Sequence, residues 1–310
     1  MAIHIETPVL ASRAFSLRTG KEVRLKMEAL QPSGSFKMRG IGHACEVYKA
    51  RGARRFVSSS GGNAGYAVAC AGRRLGTPVT VVVPDTTPER ARHLIRSEGA
   101  EVLVYGASWM EANARALELM TPADAFIHPF DDPLLWEGHA TMVDELARQG
   151  GRPDLVICSV GGGGLLCGVV QGLQRNGWGG VPVLAAETAG ADSFAQAVRA
   201  GAPVLLPQIT SIATSLGARQ VCDRALELSQ AHPIESVVVS DAEAVAACAD
   251  VLLEHRVLVE PACGASVAAL GSASAFLRGA ASVVVILCGG VGVTARQLEQ
   301  WSAELPLQKP

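Results

Sequence analysis

Short apolar runs, rich in β-branched residues, alternate along this chain with longer segments whose apolar positions recur at helical spacing. The runs at 79–83, 102–104, 155–160, 183–186, 237–239 and 283–287 predict strands. Several are apolar throughout instead of alternating, the pattern of strands covered on both faces by helices. Amphipathic spacing predicts helices over 64–75, 88–98, 108–120, 137–149, 165–174, 241–253 and 294–305. Strands and helices taking turns in this way predict an α/β protein of doubly wound, open twisted sheets. Two strand–turn–helix units stand out, around 58–65 and 161–165, and each would present a glycine-rich turn to a common cleft. They favour two lobes over one continuous sheet, and 310 residues is long for a single small core. Repeats, low-complexity tracts and long charge runs are absent from the sequence.

The balance of 27 Lys and Arg against 29 Asp and Glu, a formal charge of −2, offers no polyanion-binding surface. With aromatic residues at 5%, a stacking platform for single strands is disfavoured too, so no nucleic-acid partner is expected. Cys45, Cys70, Cys158, Cys167, Cys222, Cys248, Cys263 and Cys288 are scattered, without a C-x-x-C pair. That usage reads as a reduced cytosolic protein, not as a disulfide framework or a zinc site. Met1-Ala2-Ile3-His4-Ile5-Glu6-Thr7-Pro8 lacks the basic head and apolar run of a signal peptide. No stretch approaches the roughly 20 apolar residues of a membrane span. A cytoplasmic protein with no membrane partner is the expectation.

Lys37 lies in Pro32-Ser33-Gly34-Ser35-Phe36-Lys37-Met38-Arg39-Gly40, at the expected start of a helix, where the helix dipole favours the neutral amine. A lysine amine can form a Schiff base with an aldehyde, although most lysines are solvated surface residues. Gly161-Gly162-Gly163-Gly164 lies between an apolar strand and Leu165-Leu166-Cys167-Gly168. This is the setting of a phosphate nest, because backbone N–H groups can approach an anion where no Cβ intervenes. A Walker nucleotide loop would place a lysine directly after its last glycine, and Leu165 stands there instead. A lysine and a phosphate cradle together point to pyridoxal phosphate, which carries both an aldehyde and a phosphate.

Ser60-Gly61-Gly62-Asn63-Ala64-Gly65 precedes an apolar helix and suits a carboxylate at the helix N-terminus, or serves simply as a cap. Cys288 closes the most hydrophobic run, before Gly289 and Gly290, at the strand end where open α/β sheets bind ligands. Buried cysteines are also often plain small hydrophobes. Glu187, in Glu187-Thr188-Ala189-Gly190-Ala191-Asp192-Ser193, reads equally well as a helix-capping acid. His43, His128 and His139 have no paired spacing and read as structural.

In this order, the segments resemble the fold-type II pyridoxal-phosphate enzymes, tryptophan synthase β-like in fold. Within that group they are most similar to the short L-serine/L-threonine dehydratase (serine dehydratase-like) family. The resemblance runs from Glu6-Thr7-Pro8 to Gly290 and includes Glu260-Pro261-Ala262-Cys263-Gly264-Ala265. It implies a large cofactor-binding domain from 1–35 and 135–310, a small domain inserted at 36–134, and a homodimer. It also implies that Lys37 holds the cofactor as a Schiff base and, once freed by an amino-acid substrate, removes the Cα proton. Phe36, Lys37, Asn63, Gly161, Gly162, Gly163, Gly164, Leu165, Cys288 and Gly289 would bind the cofactor, with Asn63 at its ring hydroxyl and Cys288 at its pyridine nitrogen. Ser60, Gly61, Gly62, Asn63 and Ala64 would grip the substrate carboxylate; some members carry alanine where Gly61 stands. Carried over in the same way, Gly161, Glu187, Ala191, Ser193, Leu216 and Ala218 would enclose a monovalent cation such as potassium, mostly through carbonyl oxygens.

The implied reaction is β-elimination from L-serine, and from L-threonine, giving pyruvate or 2-oxobutanoate plus ammonia. The cofactor phosphate would protonate the leaving hydroxyl. Short serine/threonine dehydratases have cysteine opposite the ring nitrogen, whereas the relatives that make cysteine or tryptophan, and serine racemase, generally have serine or threonine. A neutral thiol holds a pyridinium less well than a carboxylate does. A weaker electron sink suits elimination, because a β-leaving group consumes the developing carbanion. The alternatives are a β-replacement enzyme, a serine racemase of the same fold, and a weakly active or non-catalytic pyridoxal-phosphate binding relative.

Overall fold

Strands that are apolar on both faces need cover on both faces, and the chain supplies it around two sheets. The structure is a computed structural model that describes residues 2–307. Met1 and residues 308–310, Lys309 among them, lie outside the described residues, and so do those outermost ends of the expected 1–35 and 135–310 domain. The strands are β1 (Val9–Ala11), β2 (Glu22–Lys26), β3 (Arg55–Ser58), β4 (Val79–Val83), β5 (Glu101–Val104), β6 (Asp124–Phe126), β7 (Leu155–Ser159), β8 (Val183–Thr188), β9 (Ile234–Val239) and β10 (Ser282–Ile286). The helices of the first half are α1 (Arg13–Thr19), α2 (Lys37–Ala50), α3 (Asn63–Leu75), α4 (Glu89–Ser97), α5 (Trp109–Glu118) and α6 (Pro133–Gln149). Those of the second half are α7 (Gly164–Arg175), α8 (Ser193–Ala200), α9 (Asp223–Ala231), α10 (Asp241–His255), α11 (Pro261–Ala268), α12 (Ala275–Gly279) and α13 (Ala295–Glu304).

One sheet has the order β1-β2-β10-β7-β8-β9, the other β5-β4-β3-β6. Every pairing is parallel except that of β1 with β2. The last strand of the chain, β10, therefore sits inside the first sheet between β2 and β7, and Val283, Val284 and Val285 have no exposed surface. The second sheet has a core of its own, built from Met38 and Ile41 of α2, Phe56, Val68, Val81, Ile95 and Ile127. Ile3, from the start of the chain, and Leu135 of α6 pack into that same core. Val57, Val82, Ala112 and Ala116 cover the other face. The α/β architecture with helices on both faces is as the hydrophobic pattern predicts. Among the described residues, no helix is long and apolar enough to cross a membrane.

Several elements depart from the pattern for local reasons. Helix α6 begins at Pro133, four positions before the predicted start, because the Asp132 side chain caps it by accepting the Leu134 N–H at 2.8 Å and Pro133 suits the first turn. Strand β9 extends back to Ile234 although Glu235 and Ser236 interrupt its apolar run; its ladder with β8 runs from Ile234 to Val239, and Glu235 accepts the Ser274 hydroxyl at 2.7 Å. Strand β2 escapes a hydrophobic reading because it ends in Lys26, which is fully buried and donates to the Thr7 carbonyl and to Glu145, both at 2.6 Å. Arg39, also fully buried, joins this cluster through Glu28 (2.6 and 2.8 Å) and Glu145 (2.6 Å). Removing one partner from such a cluster typically costs about 3–5 kcal/mol, because a charge is left buried and unpaired. Arg39 is the third residue of α2, so the cluster clamps the helix whose first residue is Lys37.

Candidate active site

Lys37 opens α2, with Phe36 as its N-cap. The preceding loop is stitched to the end of β10: the Phe36 N–H donates to the Cys288 carbonyl at 3.0 Å, and Ser35 bridges to Gly289. The Lys37 amine donates to the carbonyl of Pro129 and lies over the Phe36 ring, 5.1 Å from its centroid. Burial pushes its pKa down to about 8, while Cys288 and the Glu260 carboxylate pull it partway back. At pH 7 about a tenth of such an amine is neutral, against roughly 0.03% of an ordinary lysine.

The loop Gly161–Gly164 joins β7 to α7, and the N–H groups of Gly161, Gly162, Gly163, Gly164 and Leu165 find no acceptor among the described residues. A helix N-terminus with free amides is an anion site. At three of its glycines a side chain would be strained or obstructed, Gly164 among them, where a Cβ would lie 2.6 Å from the Phe130 carbonyl oxygen. Gly163 has φ +94, and a Cβ on Gly162 would lie 2.2 Å from the Phe130 ring. The loop is thus pressed into one shape by its neighbours, with Val221, Cys222 and Ala225 behind Gly163.

A second glycine-rich turn joins β3 to α3, with Asn63 as the first residue of the helix. The amides of Gly61, Asn63 and Ala64 are likewise without partners among the described residues, while Gly62 N–H donates weakly to Ser60 Oγ at 3.4 Å. Asn63 reaches across to the six-stranded sheet. Its Nδ2 donates to Glu260 Oε1 at 2.7 Å and to Ser215 Oγ at 3.3 Å, and its Oδ1 accepts the Val291 N–H at 3.0 Å. The Val291 carbonyl in turn accepts Arg90 Nη1 from α4 at 2.6 Å. These bonds join the two sheets' loops around the amine.

Cys288 is buried at the end of β10, with its Sγ 3.4 Å from Ser159 Oγ at the end of β7. The central strand ends thus bring a thiol close enough to act on Lys37, with the Ser159 hydroxyl against that thiol. An amine for an aldehyde, a ring of unpartnered amides for a phosphate, and weakly polar groups for a pyridine nitrogen together fit pyridoxal phosphate.

Sequence reasoning left out Glu260, Pro129, Thr87 and Arg90 as site residues. Glu260 is buried; burial pushes its carboxyl upward, and the Ser215 and Asn63 hydrogen bonds and the Lys37 charge oppose that. Its sequence signal was an acid before a helix-opening proline inside an apolar run, which alone says only N-cap. Thr87 meets the glycine turn at the position where a Cβ on Gly61 would fall, 2.6 Å from its Cγ2. His43 and His139 stand apart from the turns: His43 is 3.5 Å from Glu137, and His139 Nδ1 accepts the Gly40 N–H at 3.2 Å.

Of the residues expected around a cation, Glu187 accepts the N–H groups of Phe194 (2.9 Å) and Ala195 (2.7 Å), and burial pushes its pKa up to about 8. The Ser193 hydroxyl is buried with no hydrogen-bond partner. Ala191 is buried and bridges to Thr188, and Leu216 lies against Gly161 while its carbonyl accepts the Ala218 N–H at 2.8 Å.

Residues 2–289 match the family described as pyridoxal-phosphate dependent enzyme. L-serine dehydratase/L-threonine deaminase from Homo sapiens is 50% identical over 314 residues, covering 98% of this chain and 96% of that protein. Serine dehydratase-like from Mus musculus is 49% identical over 313 residues, covering 97% and 95%. Among solved structures, a fungal L-serine ammonia-lyase from Rhizomucor miehei superposes with a TM-score of 0.92 at 36% identity, over 98% of this chain and all of that one. Maize serine racemase follows at a TM-score of 0.88 and 28% identity, over 97% and 92%. A match along nearly the whole chain, on a fold and a set of groups that suit the cofactor, has one meaning: the chain belongs to the family of pyridoxal-phosphate dependent enzymes.

Proposed function

We propose that this protein is an ammonia-lyase that dehydrates L-serine, and L-threonine by the same steps, releasing pyruvate or 2-oxobutanoate together with ammonia. The observation that carries the reading is a lysine amine, Lys37, buried on the Pro129 carbonyl and tied through Phe36 to the strand end at Cys288, in a fold whose Gly161–Gly164 amides have no acceptor among the described residues; burial lowers its pKa to about 8. Relatives named for this activity across nearly the full length support it. Bound pyridoxal phosphate supplies an electron sink for negative charge at the substrate Cα.

The rest belongs to the chain. The amides of Gly161, Gly162, Gly163, Gly164 and Leu165 would hold the phosphate, Phe36 and Gly289 would line the ring, and Cys288 would face its nitrogen without giving it a full counter-charge. The turn Ser60-Gly61-Gly62-Asn63-Ala64 binds the substrate carboxylate with its free amides. Asn63 can reach the ring hydroxyl by exchanging its long bond to Ser215, because Glu260 keeps hold of the same amide group. The neutral Lys37 amine takes the Cα proton, the β-hydroxyl leaves as water with a proton that the phosphate held by Gly161–Gly164 would supply, and the released enamine takes up water to give the oxo acid and ammonia. Because the base form is required, proton abstraction slows as pH falls below about 8. The buried Ser193 hydroxyl, without a partner among the described residues, and the carboxyl of Glu187, whose pKa burial raises to about 8, support a potassium ion held with Gly161, Ala191, Leu216 and Ala218.

Racemisation is the second reading, favoured by the likeness to maize serine racemase. One assay separates the two. Incubation with L-serine should yield pyruvate well in excess of D-serine, and borohydride reduction should leave the cofactor on the Lys37 peptide. D-serine as the main product, or reduced cofactor on another lysine, overturns the proposal.

A further inference from the structure

The segment His128-Pro129-Phe130 runs from β6 to Asp132, the N-cap of α6. Three of its groups reach the candidate site. The Pro129 carbonyl accepts the Lys37 amine. The Phe130 ring occupies the space that a Cβ on Gly162 would need. The Phe130 carbonyl, which accepts Trp136 Nε1–H at 2.9 Å, lies 2.6 Å from the position of a Cβ on Gly164. One short turn thus sets both the acceptor for the lysine and the wall of the glycine loop.

His128 closes that turn. Its Nδ1 accepts the N–H groups of Asp131 at 2.7 Å and of Phe130 at 3.3 Å. Two donors on one nitrogen put the ring proton on Nε2. The ring is wedged edge-on against Phe130 (4.8 Å between centroids) and Phe126 (6.2 Å). Lys37 of α2 and Asp132, the N-cap of α6, are the charged groups that act on it. Burial, then the Lys37 charge, lowers its pKa to about 4 against the pull of Asp132, so Nδ1 remains an acceptor at neutral pH.

We propose that His128 is a positioning residue for the reaction: by accepting two backbone N–H groups through Nδ1, it holds the Pro129 carbonyl against Lys37 and the Phe130 ring against the glycine loop. The inference rests on the roles given above to Lys37 and that loop. An asparagine carries its Oδ1 at the same bond distance from the backbone as Nδ1, and a glutamine carries its oxygen one bond further out. That difference makes the test.

His128→Asn, His128→Gln and His128→Leu are compared with the parent in two readouts that need no turnover. One is the dissociation constant for pyridoxal phosphate. The other is the pH midpoint for acylation of Lys37 in the cofactor-free full-length protein, read by peptide mass spectrometry. His128→Gln and His128→Leu should weaken cofactor binding about tenfold. They should also lower the Lys37 midpoint, because an ammonium that loses its carbonyl acceptor gives up its proton more readily. His128→Asn should stay within about twofold of the parent in affinity and keep its midpoint. Parental values in His128→Leu, or His128→Asn behaving as His128→Gln does, would overturn the inference. So would a fall in melting temperature in His128→Gln with no change in the midpoint. If His128→Leu does not fold, the Asn and Gln pair decides alone. A parent that carries the cofactor on Lys37 yet deaminates neither amino acid refutes the function proposed above and leaves this inference standing.

Discussion

The two glycine-rich turns look alike in sequence and in local geometry: each joins a parallel strand to a helix and leaves most of its amides without partners among the described residues. Their surroundings differ. Gly161–Gly164 is enclosed by the Phe130 ring, Val221, Cys222, Ala225 and the backbone at Leu216, and Gly163 and Gly164 are buried. Gly61 and Gly62 are partly or fully exposed, and the nearest obstacle to a side chain at Gly61 is the half-buried Thr87. A rigid cradle suits a group that stays, because ordering costs are met once, at folding. A turn that leans on a movable side chain and on cross-sheet hydrogen bonds through Asn63 and Arg90 suits a group that must enter and leave on each turnover.

The contrast can be broken most severely at Gly162. Gly162→Ala forces a Cβ into the Phe130 ring, an overpacking cost of about 1–3 kcal/mol concentrated on the cradle. Pyridoxal-phosphate affinity should fall by roughly ten- to a hundredfold, measured by absorbance titration, while KM for L-serine in the cofactor-saturated enzyme changes little. An unchanged cofactor affinity would mean the cradle is not this loop.

A moderate effect is expected at the other turn. Gly61→Ala meets Thr87 Cγ2 at 2.6 Å and Oγ1 at 2.9 Å, contacts that a side chain can relieve by moving. KM for L-serine should rise about three- to tenfold, by about 1 kcal/mol, with cofactor affinity preserved. Thr87→Ala in the same chain should recover at least half of that, a coupling on the order of 0.5 kcal/mol. Loss of cofactor in Gly61→Ala would erase the distinction between the turns.

The smallest effect is the cation's. Potassium, compared with tetramethylammonium at equal ionic strength, should improve cofactor retention by about two- to fivefold, because Leu216, one of the residues proposed to hold it, lies against Gly161. The KM for L-serine should not move. Matched ionic strength matters, since general screening extends about 8–10 Å at physiological salt. Identical retention in both salts would remove the ion from the site.

Much of this was legible in the sequence because it is local. Apolar runs such as 79–83 dictate strands by burial alone, and the glycines at 161–164 announce a backbone that something must approach closely. Lys37, Cys288 and Asn63 stand in ordered motifs whose helix starts and strand ends bring them to one place. Helix α6 was legible in principle, from Asp132 and Pro133, though periodicity placed its start too late.

What only the tertiary structure decided are the contacts between residues distant in sequence, each made by a group with no signature of its own. A carbonyl such as that of Pro129 is chemically identical at every position, so its hydrogen bond to Lys37 has no trace in the sequence. Nothing in the sequence neighbours of Glu260 and Lys26 reveals Asn63 or Glu145 waiting across the fold. Residue identity determined which chemistry the chain could hold. The lowered pKa of the one amine that performs it came from burial, which depends on everything packed around Lys37.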